Sequence, residues 1–157
     1  MAKRKDAMYS MYNNRNGMLF MSSEKVASLK RLEDIQKLED DWNGYGARAF
    51  SSVLIEKCRL IIDELDPQPK IFPTGRQSIQ LQYELDDRSY LEFEIFKDKT
   101  MCLEVPQRVY SDAVTLLISE NEKERIRDIV ENFHNGKSAE LRAAIQGNKT
   151  LSTGYYG

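Results

Sequence analysis

The side chains best equipped for chemistry in this chain are a single histidine, an acidic stretch set among glycines, and a series of closely spaced carboxylates. His134 is the only histidine. One imidazole cannot assemble a multi-histidine metal site, and any nucleophile–base pair would depend on it alone. In the last turn of a predicted helix a cationic ring has a plainer role, complementing the helix dipole. Asp40, Asp41 and Asn43 beside Gly44 offer oxygen ligands of the kind a calcium loop uses. Such a loop also needs ligands at several alternating positions and a bidentate glutamate at its end, and neither follows. The chain has no GxSxG, HExxH or GxxxxGKS/T segment, and Pro73-Thr74-Gly75-Arg76 reads as a hairpin turn rather than an anion cradle. Cys58 and Cys102 belong to no CxxC pair and read as small reduced core residues. These residues predict no catalytic group, no metal and no cofactor, hence a protein that is not an enzyme.

The carboxylates point elsewhere. Between positions 80 and 104 stand Glu84, Asp86, Asp87, Glu92, Glu94, Asp98 and Glu104, against Arg88, Lys97 and Lys99; seven minus three leaves four negative charges in excess. Strand alternation predicts that Glu84, Glu92, Glu94 and Glu104 share one wet face with Gln80, Gln82, Tyr90 and Phe96. Like charges on neighbouring strands repel, so they add nothing to the sheet by themselves. They serve solubility, or they dock on an Arg/Lys-rich surface, where complementary potential speeds encounter. The second use makes Glu84, Asp86, Asp87, Tyr90, Glu92, Glu94, Phe96 and Glu104 the candidate partner-binding set. Lys3, Arg4, Lys5 and Arg15, with Tyr9 and Tyr12 for stacking on bases, form a smaller basic arm suited to phosphates.

A carboxylate wall needs strands to hold it, and the pattern supplies them. Ile79, Leu81 and Tyr83, then Leu91, Phe93 and Ile95, then Met101, Leu103 and Val105 recur at every second position, separated by polar turns. Three such runs predict an antiparallel meander with one buried face. Upstream, Val26, Leu29, Leu32, Ile35 and Leu38 predict an amphipathic helix over 24–40, capped by Ser22 or Ser23 and ended by Gly44 or Gly46. A second helix runs from Ser51 or Ser52 to Leu65, with Val53, Leu54, Ile55, Cys58, Ile61 and Ile62 on its apolar face, until Asp66-Pro67-Gln68-Pro69 breaks it. Residues 110–118 read equally as strand or helix. Ser119 and Glu122 make a capping box for a helix over 120–134. The expected fold is α+β, a two-layer sandwich in which a meander of about four or five strands packs against two N-terminal helices and one C-terminal helix. Residues 1–17 are expected to be a mobile basic arm, 18–136 a single domain, and 137–157 a short helix over 138–146 and a tail.

Composition fits that picture. At 157 residues, 41% hydrophobic and 31% charged, the chain can bury a core without disulfide staples. No apolar run approaches the length a bilayer requires, and the N-terminus has no signal-peptide pattern, so a cytoplasmic protein is expected. The sequence pI of about 5.6 is low for a dedicated duplex binder.

Trp42, the only tryptophan, lies in Trp42-Asn43-Gly44-Tyr45-Gly46-Ala47, between the two predicted helices. A large ring there can lock a helix–helix corner, with Gly44 and Gly46 allowing unusual backbone angles and Tyr45 beside it. This segment, followed by a helix, the linker Pro67-Gln68-Pro69 and a hairpin beginning Pro73-Thr74-Gly75, resembles a family of small proteins of bacteria and mobile elements. The family's usual form is W-D-G-Y-G-A followed by P-T-x-G, and the likeness covers about residues 38–96. Asn43 stands where the family has Asp, which weakens a metal or acid role there. The resemblance implies a prokaryotic or phage setting and a fold, with no established activity. The functional expectation is therefore a non-catalytic interaction protein of inhibitor type, anti-CRISPR or antitoxin, whose acidic sheet face, or the Trp42–Tyr45 corner, binds a basic nucleic-acid-processing partner. The alternative is a nucleic-acid-binding accessory protein that uses the basic arm.

Overall fold

The computed structural model describes residues 10–14 and 17–136. Its elements in chain order are β1 (Ser10–Asn14), β2 (Gly17–Met21), α1 (Ser23–Gln36), α2 (Ser52–Asp63), β3 (Lys70–Pro73), β4 (Ile79–Glu84), β5 (Tyr90–Ile95), β6 (Thr100–Val105), β7 (Val114–Ile118) and α3 (Glu122–His134). The last five strands form one antiparallel sheet in sequential order. All three helices join the sheet in one buried cluster, so the fold is the expected two-layer α+β sandwich. Part of the segment read as an arm, Ser10–Asn14, is paired antiparallel with Gly17–Met21. Lys3, Arg4, Lys5, Tyr9 and Arg15 lie outside the described residues, as do the helix expected over 138–146 and the tail.

Helix α1 begins where its cap predicts, with the Ser22 hydroxyl accepting from the Lys25 amide. It ends at Gln36, short of the expected limit of 40. Gly44 and Gly46 do not terminate it; their positive φ angles shape the loop that follows. The Ser51 hydroxyl caps α2 by accepting from the Leu54 amide. Val53 was expected on the apolar face of α2 but is 60% exposed, because only Leu54, Ile55, Cys58, Ile61 and Ile62 turn inward. The ambiguous segment 110–118 resolves into a short 3-10 turn, Tyr110–Asp112, followed by strand β7; another such turn, Pro106–Arg108, precedes it.

The predicted capping box does not form. Helix α3 starts at Glu122, its cap residue Asn121 adopts a left-handed conformation, and no side chain caps it. The Glu122 carboxylate instead accepts from Lys57 Nζ at 2.9 Å and from Thr100 Oγ1 at 2.7 Å. Lys57 also donates to the Phe96 carbonyl at 2.6 Å, so one ammonium ties α2 to the β5–β6 turn and to the start of α3.

Register decides which side chains face the helices. Ile79, Leu81 and Tyr83, then Leu91, Phe93 and Ile95, face inward as expected. On β6 the expectation is inverted. Ile95 pairs with Thr100, Phe93 with Cys102 and Leu91 with Glu104, so Thr100, Cys102 and Glu104 face the helices. Met101, Leu103 and Val105 lie on the opposite face, level with Glu94, Glu92 and Tyr90. The cause is the hairpin turn after Ile95, closed by Phe96 N–H to the Lys99 carbonyl, which fixes the pairing by its length. With a period of two, that pairing places every β6 side chain. Cys58 and Cys102 are free and buried. Burial pushes the Cys58 thiol up to about 12, and burial beside Glu104 raises that of Cys102.

Candidate interaction surface

The sheet face turned away from the helices can be read as rows across the strands. One row is Phe72, Gln80, Glu94, Met101 and Leu117; the next is Lys70, Gln82, Glu92, Leu103 and Thr115; then come Glu84, Tyr90 and Val105. The predicted acidic wall is only partly there. Glu104 is 1% exposed on the helix side, so it drops out of the set. Glu94 is on the outer face but only 6% exposed. Its Oε1 accepts from Ser78 Oγ at 2.6 Å and its Oε2 from Arg76 Nη2 at 2.7 Å. Thr74 Oγ1 contacts the same Ser78 hydroxyl and accepts from the Arg76 amide. Glu94 is thus the brace beneath the turn at 73–78.

At the other end of the face the 3-10 turns fold back over the strands. The Arg108 guanidinium lies 4.1 Å from the Tyr90 ring centroid and bonds Glu84 through Nε and Nη2. Arg108 holds the Glu84 carboxyl below the ordinary carboxylate range. Tyr90 donates its hydroxyl to Glu92 Oε1 at 2.7 Å, and burial followed by that bond raises its phenol. Phe96 lies beyond the end of β5, half-buried, with Lys99 Nζ 5.4 Å from its centroid. Asp86 and Asp87 remain exposed in the β4–β5 turn, and Asp87 accepts from the Ser89 amide. The open part of the face is therefore mixed, with Glu92 paired across the strands with Leu103, and Met101 and Leu117 in the adjoining row, all partly exposed. Pattern alone places Met101 and Leu103 in the core and gives no side for Leu117. The length of the β5–β6 turn is the signal that locates Met101 and Leu103.

The loop at 42–47 separates the roles of its aromatics. Trp42 is half-buried, packs its ring 5.9 Å from that of Phe50 and donates Nε1 to the Arg48 carbonyl at 3.2 Å. Tyr45, expected to be part of a structural corner, is 93% exposed. The loop is held by its acidic and amide side chains. Asp41 Oδ1 accepts from the Gly46 amide, Asn43 Oδ1 from the Tyr45 and Ala47 amides, and Asp40 Oδ1 from the Ala49 amide. The oxygens that resembled calcium ligands are bonded to the loop's own backbone. A Cβ on Gly75 would stand 3.2 Å from Asn43 Nδ2, so the loop and the 73–78 turn abut. The two glycine motifs of the sequence meet there.

Trp42→Ala is therefore expected to cost about 2 kcal/mol, less than the ~3–5 kcal/mol of a fully buried ring. Tyr45→Ala should leave the urea midpoint nearly unchanged. Equal losses in a denaturation series would contradict this division.

His134 takes a structural position, with Nδ1 2.9 Å from the Val130 carbonyl and its ring edge-on to Tyr83 and Phe133. Among the described residues no helix is long and apolar enough to cross a membrane. In comparisons with known proteins, no family model, no curated protein and no solved structure matches this chain.

Proposed function

We propose that this is a non-catalytic interaction protein of inhibitor type, acting in the cytoplasm of a prokaryotic host, which captures a basic nucleic-acid-processing partner on the outer face of its sheet. One observation carries the reading. All three helices pack on the same side of the sheet, and on the other side Leu103 stands opposite Glu92, with Met101 and Leu117 in the adjoining row, all three partly exposed. An apolar centre edged by acid is the pattern of a protein interface, where apolar burial gives affinity and charge gives orientation and encounter rate. The exposed Asp86 and Asp87 extend the negative edge. Anti-CRISPR and antitoxin proteins are two kinds of inhibitor with such needs.

The experiment is affinity capture from native cells at a series of salt concentrations, comparing the wild-type chain with a Glu92→Lys, Asp86→Lys, Asp87→Lys variant. The reading expects the wild type to hold a basic protein more weakly as salt rises, and the folded variant to lose it. A variant that captures the same protein at every salt concentration contradicts it.

A further inference from the structure

One end of the sheet holds a cavity of about 420 Å³, lined by the α2–β3 linker (Pro67, Gln68), Lys70, Gln82, Tyr83, Glu84, Tyr90, Arg108 and His134. That volume lies within the range of small-molecule sites. Two observations converge on it. Gln68, on its wall, is held by Nε2 donating to the Ile62 and Leu65 carbonyls. Arg108 reaches the cavity wall through two successive left-handed residues, Gln107 at φ 50° and Arg108 at φ 61°. Each costs on the order of 1 kcal/mol, and such strain concentrates at functional sites. Finally, the wall combines rings with acceptors. Tyr83 gives its hydroxyl hydrogen to the Pro67 carbonyl, leaving its oxygen able to accept. In neutral His134 the Nδ1 hydrogen faces Val130, so Nε2 is an acceptor too.

The charges on the wall are Lys70 and Arg108 against Glu84, a surplus of one positive charge. Arg108 is already engaged with Glu84 and Tyr90, so Lys70 is the cation left for a ligand. Beyond the wall, Arg88 near Glu84 is offset by Glu92 and Asp66 near the tyrosines. The site therefore matches a ligand with few charges and many donors. An aromatic or guanidinium plane accepts a flat ring, acceptors accept ring amino groups, and a lysine accepts one anionic group.

We propose that this cavity binds a flat, amino-bearing ring that carries one anionic group, the chemistry of a nucleoside monophosphate, either free or at the end of a single strand. This activity is separate from partner capture and does not depend on it. The test is heteronuclear NMR of the full chain titrated with AMP, UMP, adenosine, inorganic phosphate and a short end-phosphorylated oligonucleotide. AMP should shift the signals of Gln68, Lys70, Gln82 and His134 and saturate. Adenosine, which lacks the anion, should bind roughly tenfold more weakly, the worth of one charge-assisted contact, and UMP, without the amino group, and phosphate, without the ring, should also bind more weakly than AMP. Lys70→Ala, an exposed substitution, should weaken AMP by a similar factor with the melting temperature unchanged. If the oligonucleotide binds at these residues and AMP does not, the same chemistry belongs to a strand end. Silence of both ligands overturns the proposal, as does AMP binding that survives Lys70→Ala and Arg108→Lys alike, or UMP binding as tightly as AMP.

Discussion

Reversing the charge at Glu94 is expected to lower stability by about 2–3 kcal/mol, because the carboxylate and the Ser78 hydroxyl are buried, while the Arg76 side chain is 68% exposed and can turn to water. The carboxylate is 6% exposed and accepts from both the fully buried Ser78 and from Arg76. A lysine there would set one cation against Arg76 and leave the Ser78 hydroxyl facing a donor. Because the 73–78 turn abuts Asn43, the loop that carries Trp42 and Tyr45 should loosen as well. Glu92→Lys differs, because Glu92 is half-exposed and gives up only its bond from Tyr90. That variant should stay within about 1 kcal/mol of the wild type, as surface changes do. Urea denaturation of the two variants separates them. Equal, small losses would mean that Glu94 is a surface carboxylate after all.

Lys57→Met should cost about 3 kcal/mol. The Lys57 and Glu122 side chains are 17% and 16% exposed, and the ammonium meets a carboxylate and two carbonyls of the β5–β6 turn. Methionine keeps most of the stem packing but leaves Glu122 with Thr100 as its donor. The double variant Lys57→Met, Glu122→Gln should recover part of the loss, because the unpaired carboxylate is removed. If the two losses simply add, the pair is not coupled and the tie between α2 and α3 is wrong.

Much of the fold was legible because hydrophobic period and capping are local signals. Ser22 and Ser51 cap the helices predicted from them, and Ile79, Leu81, Tyr83, Leu91, Phe93 and Ile95 form the sheet's buried face. What failed depends on non-local geometry. Met101, Leu103 and Val105 look more like core residues than Cys102 and Glu104 do, yet the β5–β6 turn fixes the opposite phase. Glu122 looks like half of a capping box, but Lys57, 65 positions away in sequence, claims its carboxylate. The acidic face was legible as composition and not as a surface. Its partners, Arg76 for Glu94 and Arg108 for Glu84, arrive through turns whose backbone no periodicity describes. The bonding of Asn43 and Asp41 to their own loop, and the contact of that loop with Gly75, likewise arise from turn geometry that carries no periodic signal.

A single outward side chain gives the most direct test of the interface. Leu103 lies across the sheet from Glu92, on the side away from the helices, so Leu103→Lys, which sets an ammonium opposite that carboxylate, should leave the fold and its melting temperature close to the wild type. Captured from the same cells under the same conditions, this variant should lose the basic protein that the wild-type chain retains. Retention of that protein at undiminished affinity by a folded Leu103→Lys chain would contradict the assignment of the outer face.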